Sequence, residues 1–500
     1  MSLVANLSLG FQTALSAANL AYCFVGVLLG TLIGVLPGIG PVPTIAMLLP
    51  ITYTLPPVSA LIMLAGIFYG AQYGGSTTSI LVNLPGEASS VVTCLDGYQM
   101  AKQGRAGVAL AIAALGSFFA GTVSTVVLAA SGPWLGELAI TFGPSEYFSL
   151  MVLGLAGATV LSHGSLLKSV AMVFLGLLLG LVGTDINSGA MRYTFGVPEL
   201  GDGIGFVIIA MGVFGFAEII TNLIDGANDR EVVAKKITGL WPGKKELKES
   251  APAILRGTIL GSVLGVLPGG GAMLSSFASY ALEKKISKHP ERFGKGAIEG
   301  VAGPESANNA GAQTSFIPML TLGIPGNATM ALMVGALMIH NIQPGPQVMT
   351  GNPELFWGLV ASMWIGNLML VILNLPLIGI WVKLLQVPYS YLFPSIIILC
   401  CIGTFTLNSS TADVMVMTVF GVIGYALRKL ECEPAPLLLG LVLGPMLEEY
   451  FRRAMVLSDG DWSIFVRRPI SLGFLLLALA LLLAVALPNI RRGRDEAFRE

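Results

Sequence analysis

Two segments of the chain follow an apolar, helix-forming pattern that runs directly into a helix-breaking sequence. Residues 26–34 carry Gly at every fourth position and lead into Leu-Pro-Gly-Ile-Gly at 36–40; the pattern recurs 231 positions later, where residues 257–265 lead into Leu-Pro-Gly-Gly-Gly at 267–271. A helix that breaks at membrane depth exposes carbonyls that can ligate Na⁺ and amides that can bind an anion. The predicted cation-binding backbone positions are Pro37, Gly38, Gly40, Pro268, Gly269 and Gly270.

The glycines ahead of each break allow a second interpretation. Rows of Gly at every fourth position let two helices approach closely, whether or not they take part in transport. We favour this packing role for Gly26, Gly30, Gly34, Gly257, Gly261 and Gly265. Packing alone does not require a Pro-Gly stop, so we assign the chemistry to the breaks themselves.

Neutral polar side chains are concentrated in the segments that follow each break. Their hydroxyls and amides can donate to a carboxylate, and helix N-termini beside them add partial positive charge. Hydrogen bonds between helices and helix caps are the alternative role. That role is as plausible for any single residue, but the paired clusters favour a site. The predicted substrate-binding residues are Ser76, Thr77, Thr78, Ser79, Gly86, Ser89, Ser90, Asn308, Asn309, Gln313, Thr314, Ser315, Gly326, Asn327 and Thr329.

Two carboxylates, Glu87 and Glu305, lie within these same segments. A carboxylate inside a membrane is costly, so it is a natural group for coupling to Na⁺ or H⁺. Both residues could equally cap helix N-termini in a water-filled vestibule, and the sequence leaves these two readings open. Asp96 lies nearby, and Asp185 falls in a polar turn for which we expect a structural role.

Basic residues and enzymatic motifs are scarce near the breaks. Lys102, Arg105 and Arg256 lie at their rims, and we expect these side chains to extend toward the membrane surface. The three histidines and five cysteines show no metal-binding spacing, and the chain carries no Walker loop or Gly-x-Ser-x-Gly motif. We therefore expect no enzymatic activity, no transition metal and no cofactor besides a coupling ion.

The elements that carry these residues are predicted to be membrane helices. The chain is 54% hydrophobic and 11% charged, whereas a soluble domain carries about 25% charged residues. Its apolar runs are continuous and do not alternate, which excludes a transmembrane β-barrel. We predict an all-α polytopic membrane protein with roughly 10–12 transmembrane helices, broken helices and re-entrant hairpins. The Gly, Pro, Ser and Thr-rich pieces between the apolar runs are not expected to stay helical, so the apolar run at 58–73 should end before Ser76.

The repeated motifs divide the chain into two halves. We place a first membrane repeat at 1–223, a connector at 224–253, a second repeat at 254–469, and a terminal helix with a basic tail at 470–500. Only four of the 27 Lys and Arg residues precede position 224, and the connector is basic, so we expect it to be cytoplasmic and the repeats to be inverted. The motifs keep their order in both halves. Residues 74–80 resemble residues 311–317, and Gly215-Phe-Ala-Glu218 is similar to residues 444–448.

Several long motifs make the chain similar to a known family. They are Leu-Pro-Gly-Ile-Gly-Pro at 36–41, Asn-Leu-Pro-Gly at 83–86, residues 95–104, Gly-Val-Leu-Pro-Gly-Gly-Gly at 265–271, Gly-Pro-Glu-Ser-Ala-Asn-Asn-Ala at 303–310 and residues 315–326. Together they resemble the large membrane subunit of the tripartite tricarboxylate transporters, the TctA family. The resemblance covers nearly the whole chain.

The resemblance implies a cation-driven importer of organic tri- or dicarboxylates in a bacterial inner membrane. It implies two protein partners, a small four-helix membrane subunit and a periplasmic substrate-binding protein. It also implies Na⁺ as the usual coupling ion, with H⁺ as the alternative, and a bilayer rather than a nucleic acid as the surroundings. Citrate-like anions name the family, but members differ in the carboxylate they take.

Other mechanisms remain open from the sequence alone. A free-standing carboxylate–cation symporter would use the same breaks without a binding protein. A passive channel could also use Gly-rich breaks, although it would not need acidic groups beside paired, inverted halves. Within a carrier, the two halves could move as an elevator or as a rocking bundle.

Overall fold

The computed structural model describes residues 2–36, 40–161, 165–185, 188–224, 233–234, 237, 239–267, 271–385 and 389–486. Regular structure in these ranges is almost entirely helical. The α-helices are α1 (Leu3–Ala14), α2 (Ala17–Val35), α3 (Pro41–Thr52), α4 (Pro57–Val82), α5 (Val91–Lys102), α6 (Ala106–Ile140), α7 (Pro144–Leu161), α8 (Leu166–Gly180), α9 (Phe206–Ala210), α10 (Ala217–Ile224), α11 (Lys244–Leu264), α12 (Gly271–Ile286), α13 (Glu299–Thr314), α14 (Phe316–Leu322), α15 (Ala328–Ile339), α16 (Gln347–Gly351), α17 (Pro353–Asn374), α18 (Ile378–Leu384), α19 (Tyr389–Asn408), α20 (Thr411–Lys429), α21 (Ala435–Leu457), α22 (Ile464–Arg467) and α23 (Pro469–Ala486).

A few short elements complete this architecture. The strands β1 (Gly183–Thr184) and β2 (Met191–Arg192) pair antiparallel, with Gly183 opposite Arg192. Short 3₁₀ turns span Ala88–Ser90, Pro198–Leu200 and Pro290–Arg292, and a π-helical turn at Met211–Phe216 joins α9 to α10.

Many of the helices suit a bilayer. In the part of the chain that the structure describes, α2, α4, α6, α17 and α20 are long and apolar enough to cross a membrane, and several shorter apolar helices accompany them. These observations confirm the prediction of an all-α polytopic membrane protein. The predicted total of 10–12 spanning helices and the limits of the two repeats stay predictions.

The glycine rows place two pairs of helices in direct backbone contact. In the first half, an added Cβ at Gly26, Gly30 or Gly34 of α2 would lie 2.3, 2.5 or 2.4 Å from a carbonyl oxygen of α4, at Met63, Ile67 or Ala71. In the second half, an added Cβ at Gly257, Gly261 or Gly265 of α11 would lie 2.3, 2.3 or 2.5 Å from a carbonyl oxygen of α13, at Gly303, Ala307 or Gly311. The packing role predicted for both rows is therefore confirmed.

The partners of the two glycine rows also define how the halves correspond. Met63 is contacted by Gly26, and Gly303 is contacted by the equivalent Gly257. The residue numbers of Met63 and Gly303 differ by 240. The same difference separates Asn83 from Gly323, which end α4 and α14 with φ of 61° and 74°. Matching the Gly74 segment to Gly311 from the sequence was therefore wrong by three residues, about one helical turn.

The polar clusters remain helical, which is a second correction. The prediction that these Gly, Ser and Thr-rich pieces interrupt the helices is wrong, because α4 continues to Val82 and α13 to Thr314. Two local features stabilise them. The Ser76 hydroxyl lies 3.1 Å from the Gln72 carbonyl one turn earlier, and Gly74 packs against the backbone of α2. Close packing in the membrane thus compensates for poor intrinsic helix propensity.

Candidate functional site

A cavity of about 480 Å³ lies where the first turns of four helical segments meet. Each half contributes the turn that follows its Leu-Pro-Gly break and the turn that follows its second Pro-Gly pair. The lining from these turns comprises residues 40–43 and 86–89 of the first half and residues 272–274 and 327–329 of the second. Helix N-termini carry unpaired amides and partial positive charge, so this arrangement suits an anion.

The first-half wall is built around Glu87. This residue caps the Ala88–Ser90 turn, since its carboxylate accepts from the Ser89 amide at 3.1 Å. The Ser89 hydroxyl lies 2.7 Å from Gln72 Oε1 and 2.6 Å from Asn308 Oδ1, and it also contacts the Glu87 carboxylate. One hydroxyl proton cannot satisfy three acceptors, so side-chain oxygens are in excess here.

Gly86 holds this wall against the packed helices. An added Cβ at Gly86 would lie 1.9 Å from the Gly34 carbonyl oxygen and 2.6 Å from the Gly75 Cα. The turn therefore depends on glycine at a backbone contact with both α2 and α4. The polypeptide that bears Glu87 is fixed by the same glycine row that precedes the first break.

The second-half wall is built around Asn327, which caps α15. Its side-chain oxygen accepts from the Met330 amide at 2.9 Å, and Thr329 lies beside it on the cavity. Asn is among the strongest N-cap residues, so the start of α15 is fixed locally. Gly326 precedes this cap but is not among the described residues that line the cavity.

Glu305 lies outside the cavity, in the middle of α13. It is fully buried, and its carboxylate accepts hydrogen bonds from the hydroxyls of Ser76 and Thr93. The Glu305 carbonyl is contacted by the Asn309 amide group at 3.1 Å. The two carboxylates that the sequence presented as equivalent therefore have different surroundings: Glu87 lines the cavity and Glu305 joins α13 to α4 and α5.

The remaining predicted substrate residues are buried around the cavity and do not line it. Ser79 donates to the Ser90 carbonyl at 2.9 Å, and Thr78 donates to the Val35 carbonyl at 2.7 Å. Thr314 and Ser315 donate to carbonyls of their own helix. Thr77 and Gln313 are also buried, and Gln313 Oε1 has no hydrogen-bond partner. Their binding roles stay predictions.

The break positions themselves fall mostly outside the described residues. Pro37, Gly38, Pro268, Gly269 and Gly270 are in this group. Gly40 is described: it precedes α3 with φ of 67°, a left-handed conformation that favours glycine, and it lines the cavity. The predicted Na⁺ ligands at these backbone positions therefore stay predictions.

The cavity wall also contains a charged pair that was not predicted from the sequence. Arg428, in the last turn of α20, forms an ion pair with Glu218 in the first turn of α10, and both side chains line the cavity with Glu433. A partial signal lies in the sequence, since Glu218 ends a long apolar segment. Arg428 resembles an ordinary anchor at the end of a membrane helix, and only the packing of α20 on α10 reveals its position.

The basic residues predicted at the rims have other partners. Arg256 forms a bidentate pair with the buried Glu283, with N–O distances of 2.8 and 2.6 Å, so it is not simply a surface anchor. Arg105 lies 3.5 Å from Glu246, and the Lys102 ammonium lies 4.6 Å from the Tyr98 ring centre. None of the three lines the cavity.

The two nearby aspartates have structural contacts. Asp96 accepts from the amides of Gly296 and Ala297 at 2.7 and 2.8 Å, which ties α5 to the start of α13. Asp185 pairs with Arg452 at 3.1 Å, at the β1 turn. These contacts agree with the structural role expected for Asp185.

Comparisons with other proteins identify relatives along the whole chain. The family described as "Tripartite tricarboxylate transporter TctA family" matches residues 20–439. An uncharacterized 52.8 kDa protein in the TAR-I ttuC' 3' region of Agrobacterium vitis is 61% identical over 500 residues, covering 100% of this chain and 99% of that protein. An uncharacterized protein in the TAR-II ttuC' 3' region of the same organism is 60% identical over 240 residues, 48% of this chain and 99% of its own length. No solved structure is significantly similar.

Proposed function

We infer the function from the family to which the chain belongs. This chain is a member of the tripartite tricarboxylate transporter TctA family. It is a multi-pass membrane protein of a transporter family. We propose that it is the large membrane subunit of a binding-protein-dependent importer, and that it drives the uptake of organic di- or tricarboxylates with Na⁺. The proposed location is a bacterial inner membrane, and the proposed partners are a small four-helix membrane subunit and a periplasmic binding protein.

The observation that carries this proposal is the convergence of four helix starts on one cavity. Amides at helix N-termini bind carboxylates without a fixed charge, and both halves contribute such helix starts. The start of α3 contributes fewer amides than the others, because Pro41 and Pro43 have no N–H. The cavity volume of about 480 Å³ falls within the usual range for small-molecule sites. A carboxylate can therefore be held between the halves by groups that the family motifs position.

The charges on the cavity wall support coupling to a cation. The described lining includes the carboxylates of Glu87, Glu218 and Glu433 but only one guanidinium, that of Arg428. An anion entering such a cavity needs accompanying positive charge. The excess oxygens around Ser89 offer a place for it, because Na⁺ prefers the carboxylate, amide and hydroxyl oxygens found there. We propose Glu87 as the coupling carboxylate, with Gln72, Ser89 and Asn308 as further ligands.

Reconstituted transport tests this proposal. The purified membrane subunits would be placed in proteoliposomes with their binding protein, and uptake of labelled citrate, succinate and malate would be measured under Na⁺ or H⁺ gradients. We expect accumulation of at least one anion against its gradient, and collapse of that accumulation when the Na⁺ gradient is dissipated. Accumulation driven only by an H⁺ gradient would contradict the proposal that Na⁺ is the coupling ion.

The same assay separates the alternatives. Equal uptake without the binding protein would indicate a free-standing symporter. Equilibration that never exceeds the outside concentration would indicate a passive channel. Failure to take up any of the three anions would contradict carboxylate transport.

Accessibility labelling tests alternating access at the cavity. Ala88 lines the cavity and is exposed, so Ala88→Cys in a chain without its five native cysteines would report on the site. A carrier is expected to expose this thiol to one side of the membrane at a time, with the side changed by Na⁺ and the anion. Unchanged labelling from both sides would count against a carrier.

A further inference from the structure

The cavity wall contains one basic side chain in the part of the chain that the structure describes. Arg428 projects from the last turn of α20 and is 28% exposed, whereas its partner Glu218 is 20% exposed. The two side chains are in direct contact through Arg428 Nη1 and Glu218 Oε2. A guanidinium has five N–H donors in a planar fork, so one carboxylate oxygen leaves most of its hydrogen-bonding capacity unused.

The backbone around this pair is closely packed. An added Cβ at Gly421 would lie 2.8 Å from the Phe216 side chain, and one at Gly424 would lie 2.8 Å from the Val213 Cα. These contacts fix α20 against the π-helical turn at Met211–Phe216, which ends one residue before α10 begins. π-helical turns within α-helices are frequent at functional sites. Arg428 is thus positioned by a rigid contact and not by a loop.

We propose that Arg428 binds one carboxylate of the transported anion, and that Glu218 occupies the guanidinium while the cavity is empty. The inference rests on the proposed function, because it assumes that the transported molecule is a carboxylate. Bidentate binding to a guanidinium is geometrically specific and strong for carboxylates. Helix N-termini would hold the other carboxylates of the same anion, so Arg428 would favour substrates that have at least two carboxylate groups.

Equilibrium binding to the membrane complex tests this assignment without interference from the binding protein. The chain and its small membrane partner would be purified in detergent with Na⁺, and the Kd of labelled citrate, succinate and malate measured. We expect Arg428→Gln to raise the Kd about 10- to 100-fold, the usual loss for a charge-assisted hydrogen bond. The Kd of Arg428→Lys should lie between those of the unaltered chain and Arg428→Gln, because lysine keeps the charge and lacks the planar fork of donors.

Three further variants separate binding from a merely structural ion pair. Lys429→Gln removes the neighbouring, exposed charge and should leave the Kd unchanged. Glu218→Gln should lower the Kd by up to about fivefold, because it removes the carboxylate that competes for the Arg428 guanidinium. The double variant Glu218→Arg with Arg428→Glu preserves an ion pair but should not restore binding. Gel filtration and thermal unfolding would establish that each variant is folded.

Three results obtained with the variants would overturn the inference. They are a Kd for Arg428→Gln within twofold of the unaltered chain, equal weakening by Arg428→Gln and Glu218→Gln, and recovery of binding in the double variant. Absence of binding to an unaltered complex that does transport one of these anions would also overturn it. Failure of the unaltered complex to transport any of them would instead be seen before a variant is made, and it would reject the proposed function together with this inference.

Discussion

The two Pro-Gly turns at the cavity have nearly the same backbone but different chemistry. Glu87 and Asn327 are equivalent positions, and their φ and ψ angles are −152° and 167° against −157° and 175°. Both cap the helical turn that follows, both are half-buried, and both line the cavity. In one half the cap is a carboxylate, and in the other it is a neutral amide.

This difference indicates that the repeated backbone and the chemistry of the site are separable. The extended cap residue and the helix start it creates are present in both halves, so each half can present amides to an anion. The cap residue is charged only in the first half, where Glu87 lies beside the oxygens around Ser89. We infer that the two Pro-Gly turns make matching contacts with the anion and that only the first of them contacts the cation.

The largest expected effect comes from making the first turn resemble the second. Glu87→Gln keeps a side-chain oxygen that can cap the turn but removes the charge proposed to meet Na⁺. We expect initial uptake by the reconstituted transporter to fall about 10- to 100-fold, as for loss of a charge-assisted contact. Glu354→Gln, an exposed acidic residue in the first turn of α17, is the matched control. Unchanged uptake and Na⁺ dependence in Glu87→Gln would remove this residue from the cation site.

The next largest effect is expected from substitutions at the glycine contacts, and the loss of stability should be similar in the two halves. An added Cβ at Gly30 or Gly261 would lie 2.5 or 2.3 Å from a backbone carbonyl oxygen. Both Gly30→Ala and Gly261→Ala should therefore destabilise the protein by about 1–3 kcal/mol, measured as a lower apparent Tm in detergent. Gly473→Ala is the control, since nothing lies within 4 Å of its added Cβ. Tolerance of the change in one half alone would contradict equivalent packing.

Sequence patterns predicted the features of this fold that depend on local chemistry. The glycine rows, the Pro-Gly turns and the Asn327 cap each follow from a few adjacent residues, and the structure places them as helix contacts and helix starts. The family was also identifiable from such local motifs, and the match over residues 20–439 confirms it. Of the described residues predicted to bind the substrate or the cation, those that line the cavity are Gly40, Gly86, Glu87, Ser89, Asn327 and Thr329, and their binding roles stay predictions.

Features that depend on contacts between distant segments were not predictable in the same way. Helix α4 was expected to end before Ser76 because its Gly and Ser residues are poor helix formers in isolation, but its packing on α2 keeps it helical. Arg428 lines the cavity because α20 packs on the turn before Glu218, a contact between segments that are distant in the sequence. Glu305 and Glu87 could not be distinguished, because burial is a property of the assembled fold.

A smaller effect should follow from making the second turn resemble the first. Asn327→Asp keeps a strong N-cap, so the stability should be preserved. The added charge would face the anion across the cavity, and a screened like-charge contact of about 1 kcal/mol corresponds to roughly a fivefold loss of affinity. We expect weaker binding of citrate, succinate or malate to the membrane complex, with partial recovery at high Na⁺. Tighter anion binding would show that the second turn does not face the anion.

The smallest expected effect concerns two threonine hydroxyls that donate to backbone carbonyls near the breaks, one in each half. Thr78 donates to the Val35 carbonyl at 2.7 Å, an acceptor at the end of α2, whereas Thr314 donates at 3.0 Å to the Ala310 carbonyl of its own helix. Terminal carbonyls lack a partner within their helix, so Thr78→Val leaves a buried acceptor unsatisfied and should cost about 1 kcal/mol. Thr314→Val should cost clearly less, because carbonyls inside a helix already accept a backbone amide. Thermal unfolding of the two variants in detergent would measure the difference, and an equal loss would show that the two hydroxyls serve the same purpose in both halves.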